Sequence, residues 1–210
     1  MGLFDKLFGK KEEKQATSTA ASNTKEMTFE TALKGSVVTF PPLYDEEVKQ
    51  FSGMNASIVE KDTILVEKDN ANRKMFTWLH LFEDSLILDK EASKMKVMRE
   101  IKDINDFVEA ADMDILNEVL RLDEDEMDGD VISSNDKQIV MNSAFSMVQE
   151  TTYFINEDAL VNSAFFGGQV RMIEAKTSDR KYSLNIVVKP EGETLIFEGV
   201  LMDAEGFEYF

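Results

Sequence analysis

The sequence contains no cysteine and no long hydrophobic run. Without cysteine it has no disulfide, no thiolate metal site and no cysteine nucleophile, and this composition fits a reducing cytoplasm. No apolar stretch approaches the roughly 18 to 20 residues that a transmembrane helix needs. Asp5 and Lys6 also interrupt the apolar residues at the N-terminus, so a secretion signal is not predicted. We therefore expect a cytoplasmic protein that associates with membranes only at their surface.

Motifs of the common enzyme classes are missing as well. The chain has no P-loop, no G-x-S-x-G and no dinucleotide fingerprint, and no Lys-Ser or Lys-Thr pair directly follows Gly167–Gly168. His80 is the one histidine, and it lies within the apolar run FTWLHLF, where a packed side chain is its expected role. One histidine also excludes a metal site built on several imidazoles. The sequence thus predicts a non-enzymatic protein with no cofactor and no catalytic residue.

The charge of the chain is strongly negative and unevenly distributed. The formal net charge of the 210 residues is -18. Residues 1–27 carry five lysines against four carboxylates, so the rest of the chain carries a net charge of −19. A body of this charge repels the phosphates of nucleic acids and of anionic membranes. Direct nucleic-acid binding is therefore not expected, and attraction to an anionic surface would have to come from the N-terminus.

Residues 1–11 (MGLFDKLFGKK) have the pattern of a short amphipathic helix. Its predicted apolar anchors, which share one face, are Leu3, Phe4, Leu7 and Phe8. Its predicted electrostatic contacts are Lys6, Lys10 and Lys11. Such a face can lie on a membrane surface, fill a groove on a partner protein or pack on its own body, and the pattern leaves these alternatives open. Residues 12–27 lack large apolar side chains before Met27 and are predicted to be a flexible linker.

Residues 103–130 form an acidic run. They hold 12 carboxylates against one arginine, and the densest part is LDEDEMDGD. When Gly129 is aligned with the invariant glycine of an EF-hand loop, Asn135 stands where the bidentate glutamate is needed, so no metal site is predicted. The run is interpreted as a solvated loop or as a docking surface for a basic protein, and the sequence leaves open whether it binds Ca²⁺ at a loose surface site. The residues predicted for that acidic partner surface are Asp123, Glu124, Asp125, Glu126 and Asp128.

The predicted fold class is α+β, with antiparallel sheets, a central helical segment at about 90–122 and a C-terminal β-meander. Apolar residues recur at steps of three and four from Val97 to Ala111, which predicts an amphipathic helix over roughly 90–111, and a second helix is predicted from Asp112 to about 122. Segments 56–60 and 63–67 are predicted to form a hairpin that turns at Lys61–Asp62. The meander is predicted from strands at 170–175, 182–188 and 194–201. Residues 28–210 would form one acidic α+β domain, or two subdomains over 28–130 and 131–210.

These features together predict an interaction protein that is not an enzyme. Residues 1–11 would recruit it reversibly to a membrane surface or to a partner protein, and the acidic body would make the specific contacts. One alternative is an acidic inhibitor or adaptor that binds a basic protein in the manner of a DNA mimic. Another is a structural or assembly protein. The partner and the oligomeric state are left open by the sequence.

Overall fold

The structure is a computed structural model that describes residues 26–66, 74–109, 113, 116–117, 138–145 and 150–210. Within these residues the chain forms eleven β-strands. The strands are β1 (Val37–Thr39), β2 (Asn55–Val66), β3 (Lys74–Leu81), β4 (Ile87–Glu91), β5 (Lys94–Glu100), β6 (Gln138–Met141), β7 (Thr151–Ser163), β8 (Gly168–Lys176), β9 (Tyr182–Val188), β10 (Thr194–Asp203) and β11 (Glu208–Tyr209). Short 3-10 turns lie at Lys49–Phe51, Glu83–Ser85 and Ile104–Asp106.

The strands form one antiparallel sheet that closes on itself. Their order is β11–β1–β2–β3–β4–β5–β10–β9–β8–β7–β6. In addition, the end of β2 pairs with the end of β7, where Leu65 faces Asn162 and Val66 faces Val161. This pairing joins the eight strands from β2 to β7 in that order into a ring, and it leaves β1, β11 and β6 as extensions beside it. We call the space enclosed by these eight strands the ring interior.

Side chains meet across the ring interior even though several strands separate them along the sheet. Two strands, β4 and β5, separate Trp78 on β3 from Phe197 on β10, yet their ring centroids lie only 5.6 Å from one another. The apolar cluster around them includes Ile64, Met98 and Val187, all of which are buried. The interior is therefore a packed core for part of its length, as expected for a ring of about eight strands.

Two β-bulges let the long strands β2 and β7 serve two different cores. The register of β2 against β3 shifts between Ile58 and Glu60, and the register of β7 against β8 shifts between Ile155 and Glu157. A bulge adds one residue to one strand, so the alternation of faces is reversed beyond it. Ile58 before the bulge thus packs in a second, larger cluster, whereas Ile64 beyond it packs in the ring interior.

The larger cluster lies on the opposite face of the sheet. It combines residues of the ring, such as Leu88 and Ile186, with Phe40, Phe51 and Phe145 from the segments outside the ring. Both faces of the central strands are consequently buried, and in β9 every residue from Tyr182 to Val187 is buried. Strands buried on both faces can lack the alternation of apolar and polar residues that marks a half-exposed sheet, although β9 keeps it from Tyr182 to Ile186.

The amphipathic helix predicted over 90–111 is wrong, because this stretch contains the hairpin of β4 and β5. Glu91 pairs with Lys94, so the chain reverses through Ala92 and Ser93, and Ala92 adopts a positive φ of 54°. Met95 and Val97 face the larger cluster, whereas Met98 faces the ring interior. Burial on both faces produced apolar residues at Val97, Met98 and Ile101, which mimicked the spacing of a helix.

The α+β fold class is therefore wrong for the described residues, which are predominantly antiparallel β-sheet. Of the second predicted helix, the described residues Met113, Leu116 and Asn117 are helical, and the others lie outside the described ranges. The predicted hairpin at 56–67 is also wrong, because β2 runs without a turn through Lys61–Asp62. The predicted meander is confirmed, since β8, β9 and β10 pair consecutively.

The single sheet runs through both parts of the sequence that were considered as subdomains. β10 pairs with β5 along seven residue pairs, and β2 pairs with β7, so the ring contains strands from both 28–130 and 131–210. Met27, at the end of the predicted linker, forms a bridge with Tyr209. Within the described ranges, no helix has the length and apolar character needed to cross a membrane.

Candidate ligand cavity inside the ring

A cavity of about 320 Å³ lies at one end of the ring interior. One part of its wall is apolar and the other is charged or polar. The apolar lining residues are Val66, Phe76, Ala159, Val161 and Met172. The charged and amide-bearing lining residues are Asp89, Lys90, Glu91, Lys96, Asn156, Glu157, Glu174, Lys176 and Asn185. The other end is filled by Trp78, Phe166 and Phe197, whose rings contact one another.

Lys96 is the central charged residue of the cavity wall. Its side chain is only 3% exposed, and its Nζ lies 3.1 Å from Asp89 Oδ2 and 3.1 Å from Glu174 Oε1. Asp89 is its neighbour on β4, whereas Glu174 on β8 is reached across the ring interior. A buried ammonium requires such partners, because an uncompensated charge away from water is costly.

The buried pairs continue towards the mouth of the cavity. Lys176 Nζ lies 3.2 Å from Glu174 Oε2 and 3.0 Å from Glu91 Oε1. Asn156 Nδ2 donates a hydrogen bond to Glu174 Oε2 at 3.2 Å. Carboxylates and lysines therefore alternate from Asp89 deep in the wall to the half-exposed Glu91 at its rim.

Gly199 provides the space through which Lys96 crosses the interior. A Cβ atom at this position of β10 would lie 2.9 Å from Met98 Cγ and from Ser183 Oγ, and 3.0 Å from Lys96 Cγ. These distances are shorter than ordinary carbon contacts, so any larger residue would displace the aliphatic part of Lys96. Gly199 is thus required by packing on the ring interior.

This arrangement can hold a small molecule, and comparison with known proteins gives no information about which one. No family model, curated protein or solved structure matches the chain. Enclosed pockets with an apolar wall and a few convergent polar groups are the usual form of small-molecule sites.

The pKa of Glu174 reflects its position in this network. Burial favours the neutral carboxyl, but the charges and hydrogen bonds of Lys96 and Lys176 outweigh burial and hold the pKa below its ordinary value. Burial likewise opposes the charge of Lys96, and the charges of Asp89 and Glu174 outweigh it and raise the pKa of Lys96. At neutral pH both residues are therefore charged.

A pH dependence follows from the lowered pKa of Glu174. A carboxyl whose pKa is lower in the folded state stabilises the fold above its unfolded pKa of about 4.3, and this contribution is lost as the pH falls through the folded value. We expect Glu174→Gln to be less stable than the wild type at pH 7, with a difference in the free energy of unfolding that narrows below about pH 4. Urea denaturation at pH 7, 5, 4 and 3 measures this difference.

A matched control is Glu193→Gln, which removes one negative charge from an exposed pair with Lys189. Its stability should follow that of the wild type at every pH. If the difference between Glu174→Gln and the wild type stayed constant from pH 7 to pH 3, the pairing of Glu174 with the two lysines would not stabilise the folded state.

His80 belongs to a separate polar cluster near the aromatic end of the ring. It is buried and stacks on Phe165 with 3.9 Å between ring centroids, as the prediction of a packed histidine requires. Burial lowers the pKa of His80 against the opposing charges of Asp62 and Glu60. The hydroxyl of Ser163 donates to Asp62 Oδ2 and not to the imidazole, so these residues do not have the hydrogen bonding of a catalytic triad.

Glu198 is a further buried carboxylate, and it lies on the face of β10 that points away from the ring interior. It is fully buried and accepts hydrogen bonds from the hydroxyls of Tyr153 and Ser143 and from the backbone N–H of Ala144. Burial, together with the charge of Glu198, raises the pKa of Tyr153. These contacts attach the segment after β6 to the ring, and three donors satisfy the carboxylate. We interpret the cluster as structural.

The site residues predicted from the sequence lie outside the described residues. This holds for the anchors Leu3, Phe4, Leu7 and Phe8, for the lysines Lys6, Lys10 and Lys11, and for the acidic surface Asp123, Glu124, Asp125, Glu126 and Asp128. Of the acidic run, the described carboxylates Asp103, Asp106 and Glu109 are exposed. In the ranges that the structure covers, no group of three or more potential metal ligands is placed to hold a metal ion.

The cavity residues were not predicted from the sequence, although a local signal existed. Lys96 and Glu174 each lie between two apolar residues, in KMKVMRE and QVRMIEAK, whereas Asp89 follows an apolar run and begins the charged stretch DKE in SLILDKE. A single charge within a buried strand requires a partner of opposite charge. This signal identifies the residues as candidates for buried ion pairs, but it does not show which residues pair with one another.

Proposed function

We propose that this protein is a non-enzymatic binding protein that holds a small ligand in the ring interior. The observation that carries the proposal is the cavity of about 320 Å³ between the charged wall around Lys96 and the apolar wall around Val161. Its volume falls at the lower end of the range of about 300 to 1,000 Å³ that small-molecule pockets occupy. In this proposal, the interaction expected from the sequence is the binding of a ligand inside the cavity.

The wall is built to keep its shape when it is empty. Backbone pairing of β4 with β5 and of β8 with β9 fixes the strands, and the pair of Lys96 with Glu174 connects β5 and β8 across the ring interior. A preformed pocket binds with less loss of conformational freedom than one that must first be ordered. Affinity would therefore come from filling the apolar wall and from contacts with the charged rim.

Binding of a neutral apolar dye tests this proposal. N-phenyl-1-naphthylamine fluoresces when it enters an apolar site, and we expect saturable binding to the wild-type protein. Ala159→Phe places an aromatic ring in the cavity and should abolish or greatly weaken this binding. Leu33→Phe adds the same ring at a residue that is 63% exposed and should bind the dye as the wild type does.

Circular dichroism and thermal unfolding of Ala159→Phe establish that the variant is folded before its binding is measured. Failure of the wild type to bind the dye saturably would contradict the proposal. Equal affinities of the wild type and a folded Ala159→Phe would contradict it as well, because the dye would then bind elsewhere.

Recruitment through residues 1–11 stays a prediction from the sequence. What supports it is the contrast between an apolar, lysine-bearing segment and a body of net charge −19. In this view the segment brings the binding protein to an anionic membrane surface. Co-sedimentation with anionic vesicles should then be lost when residues 1–11 are deleted, and unchanged co-sedimentation would disprove recruitment to lipid.

A further inference from the structure

We propose that the ligand of this cavity is a small organic amine that carries an apolar chain and is positively charged at neutral pH. This inference rests on the proposed function, because it names the chemical class of the molecule that the cavity holds. The charged wall would contact the ammonium group and the apolar wall would cover the chain.

The balance of charge around the cavity favours a cation. Among the described lining residues, four carboxylates (Asp89, Glu91, Glu157 and Glu174) stand against three lysines. One of these lysines, Lys90, is paired at 2.7 Å with Glu30, which is not a lining residue. Glu157 has an interaction of its own and is set aside in the same way. Asp89, Glu91 and Glu174 then stand against Lys96 and Lys176, so this set of paired lining residues carries one excess negative charge.

The two remaining lysines are poor partners for an anion. Lys96 already contacts Asp89 and Glu174, and Lys176 already contacts Glu91 and Glu174. An anionic ligand would have to break one of these pairs or lie against the excess negative charge, and both are unfavourable in a partly enclosed site. A cation instead adds a further partner to carboxylates that are already held in place.

The location of the polar groups indicates how an amine would be oriented. Glu91 stands at the rim with its side chain 49% exposed, whereas Val161 and Met172 lie deeper and are buried. The ammonium would therefore lie near Glu91 and Glu174, and the chain would extend along β7 and β8 towards Val161 and Met172. The chain's overall charge of -18 also attracts cations from solution before they reach the site.

A series of ligands with one chain and three head groups tests the inference. n-Octylamine, octan-1-ol and octanoate are compared at pH 7 by displacement of bound N-phenyl-1-naphthylamine from the full-length protein. We expect octylamine to displace the dye at a concentration at least about tenfold lower than octanol, and octanoate to be the weakest. The advantage of the amine over the alcohol should shrink in 1 M sodium chloride, because salt screens the charges at the rim.

A charge variant gives a second readout on the same ligands. Glu91→Gln should weaken the binding of octylamine by about three- to tenfold and leave the binding of octanol unchanged, because one charge near the ammonium is lost. Glu193→Gln removes the same charge from the loop between β9 and β10, at the far end of the ring from Glu91, and should leave both ligands unchanged.

The outcomes separate this inference from the proposed function. If the dye binds but the three ligands displace it equally, or octanoate displaces it best, the amine inference is overturned while the binding function stands. If calorimetry detects no binding of octylamine and the dye also fails to bind, the proposed function itself is lost.

Discussion

Replacement of Lys96 by methionine is expected to lower the free energy of unfolding by about 3–5 kcal/mol, the range found when one partner of a buried ion pair is removed. Methionine fills a similar volume with an unbranched chain, so the loss arises mainly from electrostatics. Asp89 and Glu174 would be left as two buried carboxylates near each other without the ammonium that now lies between them. Urea denaturation at pH 7, followed by circular dichroism, measures the change.

Lys94→Met is the matched control on the same strand. Lys94 pairs with Asp203 at the surface, where the two side chains are 49% and 79% exposed, and such pairs contribute only about 0–1 kcal/mol. Equal stability of Lys96→Met and Lys94→Met would mean that the buried pairs around Lys96 do not hold the ring together.

A triple variant keeps this prediction testable if Lys96→Met fails to fold. Lys96→Met combined with Asp89→Asn and Glu174→Gln removes all three charges, and buried pairs can often be replaced by neutral residues at little cost. We expect the triple variant to recover a large part of the lost stability. A triple variant that is less stable than Lys96→Met would contradict the electrostatic explanation.

The parts of the fold that the sequence predicted correctly are those with local signals. The strands β8, β9 and β10 were found because turn residues separate them, in TSDRK and KPEGE, and because Leu184, Ile186 and Val188 alternate. Both kinds of signal depend on neighbouring residues only. They predict a meander without information about what the strands pack against.

The region from β4 to β5 lacked such signals. Its turn uses Ala92 at a positive φ, a conformation in which glycine or asparagine would have marked the reversal. Both faces of β5 are buried, so the pattern of Met95, Val97 and Met98 reflects two cores at once. When both faces of a strand are buried, its apolar residues belong to two different cores. The sequence alone does not show which residue faces which core until the partner strands are known.

The hairpin turn predicted at Lys61–Asp62 in β2 was wrong for a related reason. Lys61 and Asp62 have the polarity of a turn, but Lys61 Nζ donates to the carbonyl oxygen of Glu30 at 2.6 Å, and Asp62 is buried in the ring interior. Each polar residue has a partner that is distant in the sequence. The segment before β1 supplies the acceptor for Lys61, and the pairing of β2 with β7 brings Ser163 to Asp62.

The cavity residues could not be recognised as one site from the sequence, because they are also brought together by contacts between distant parts of the chain. Lys96 and Glu174 are 78 residues apart, and they meet because β10 and β9 lie between β5 and β8 in the sheet. Single charges within apolar strands indicate that buried pairs exist, but the strand order decides which residues form them. The role of Gly199 could not be predicted from the sequence either, because this residue leaves space for a side chain on another strand, Lys96.

Replacement of Trp78 by alanine is expected to cost about 3–5 kcal/mol of stability, the usual cost of truncating a buried tryptophan. Trp78 is fully buried, and its ring centroid lies 5.7 Å from that of Phe166 and 5.6 Å from that of Phe197. Because Trp78 is the single tryptophan of the chain, circular dichroism must replace fluorescence in the urea denaturation. Phe82→Ala is the control at a side chain that is 74% exposed, and it should change stability by no more than about 0.5 kcal/mol.

Trp78→Phe distinguishes packing from hydrogen bonding at this position. Trp78 Nε1 is buried and has no hydrogen-bond partner among the described residues, so phenylalanine loses contact area but also removes an unsatisfied donor. We therefore expect Trp78→Phe to lose less than half of the stability that Trp78→Ala loses. Equal losses in the two variants would mean that the indole N–H has a partner and that the aromatic end of the ring is held by more than packing. A small loss, with Trp78→Ala as stable as Phe82→Ala, would mean that this end is not filled, and the cavity would then extend through the whole ring.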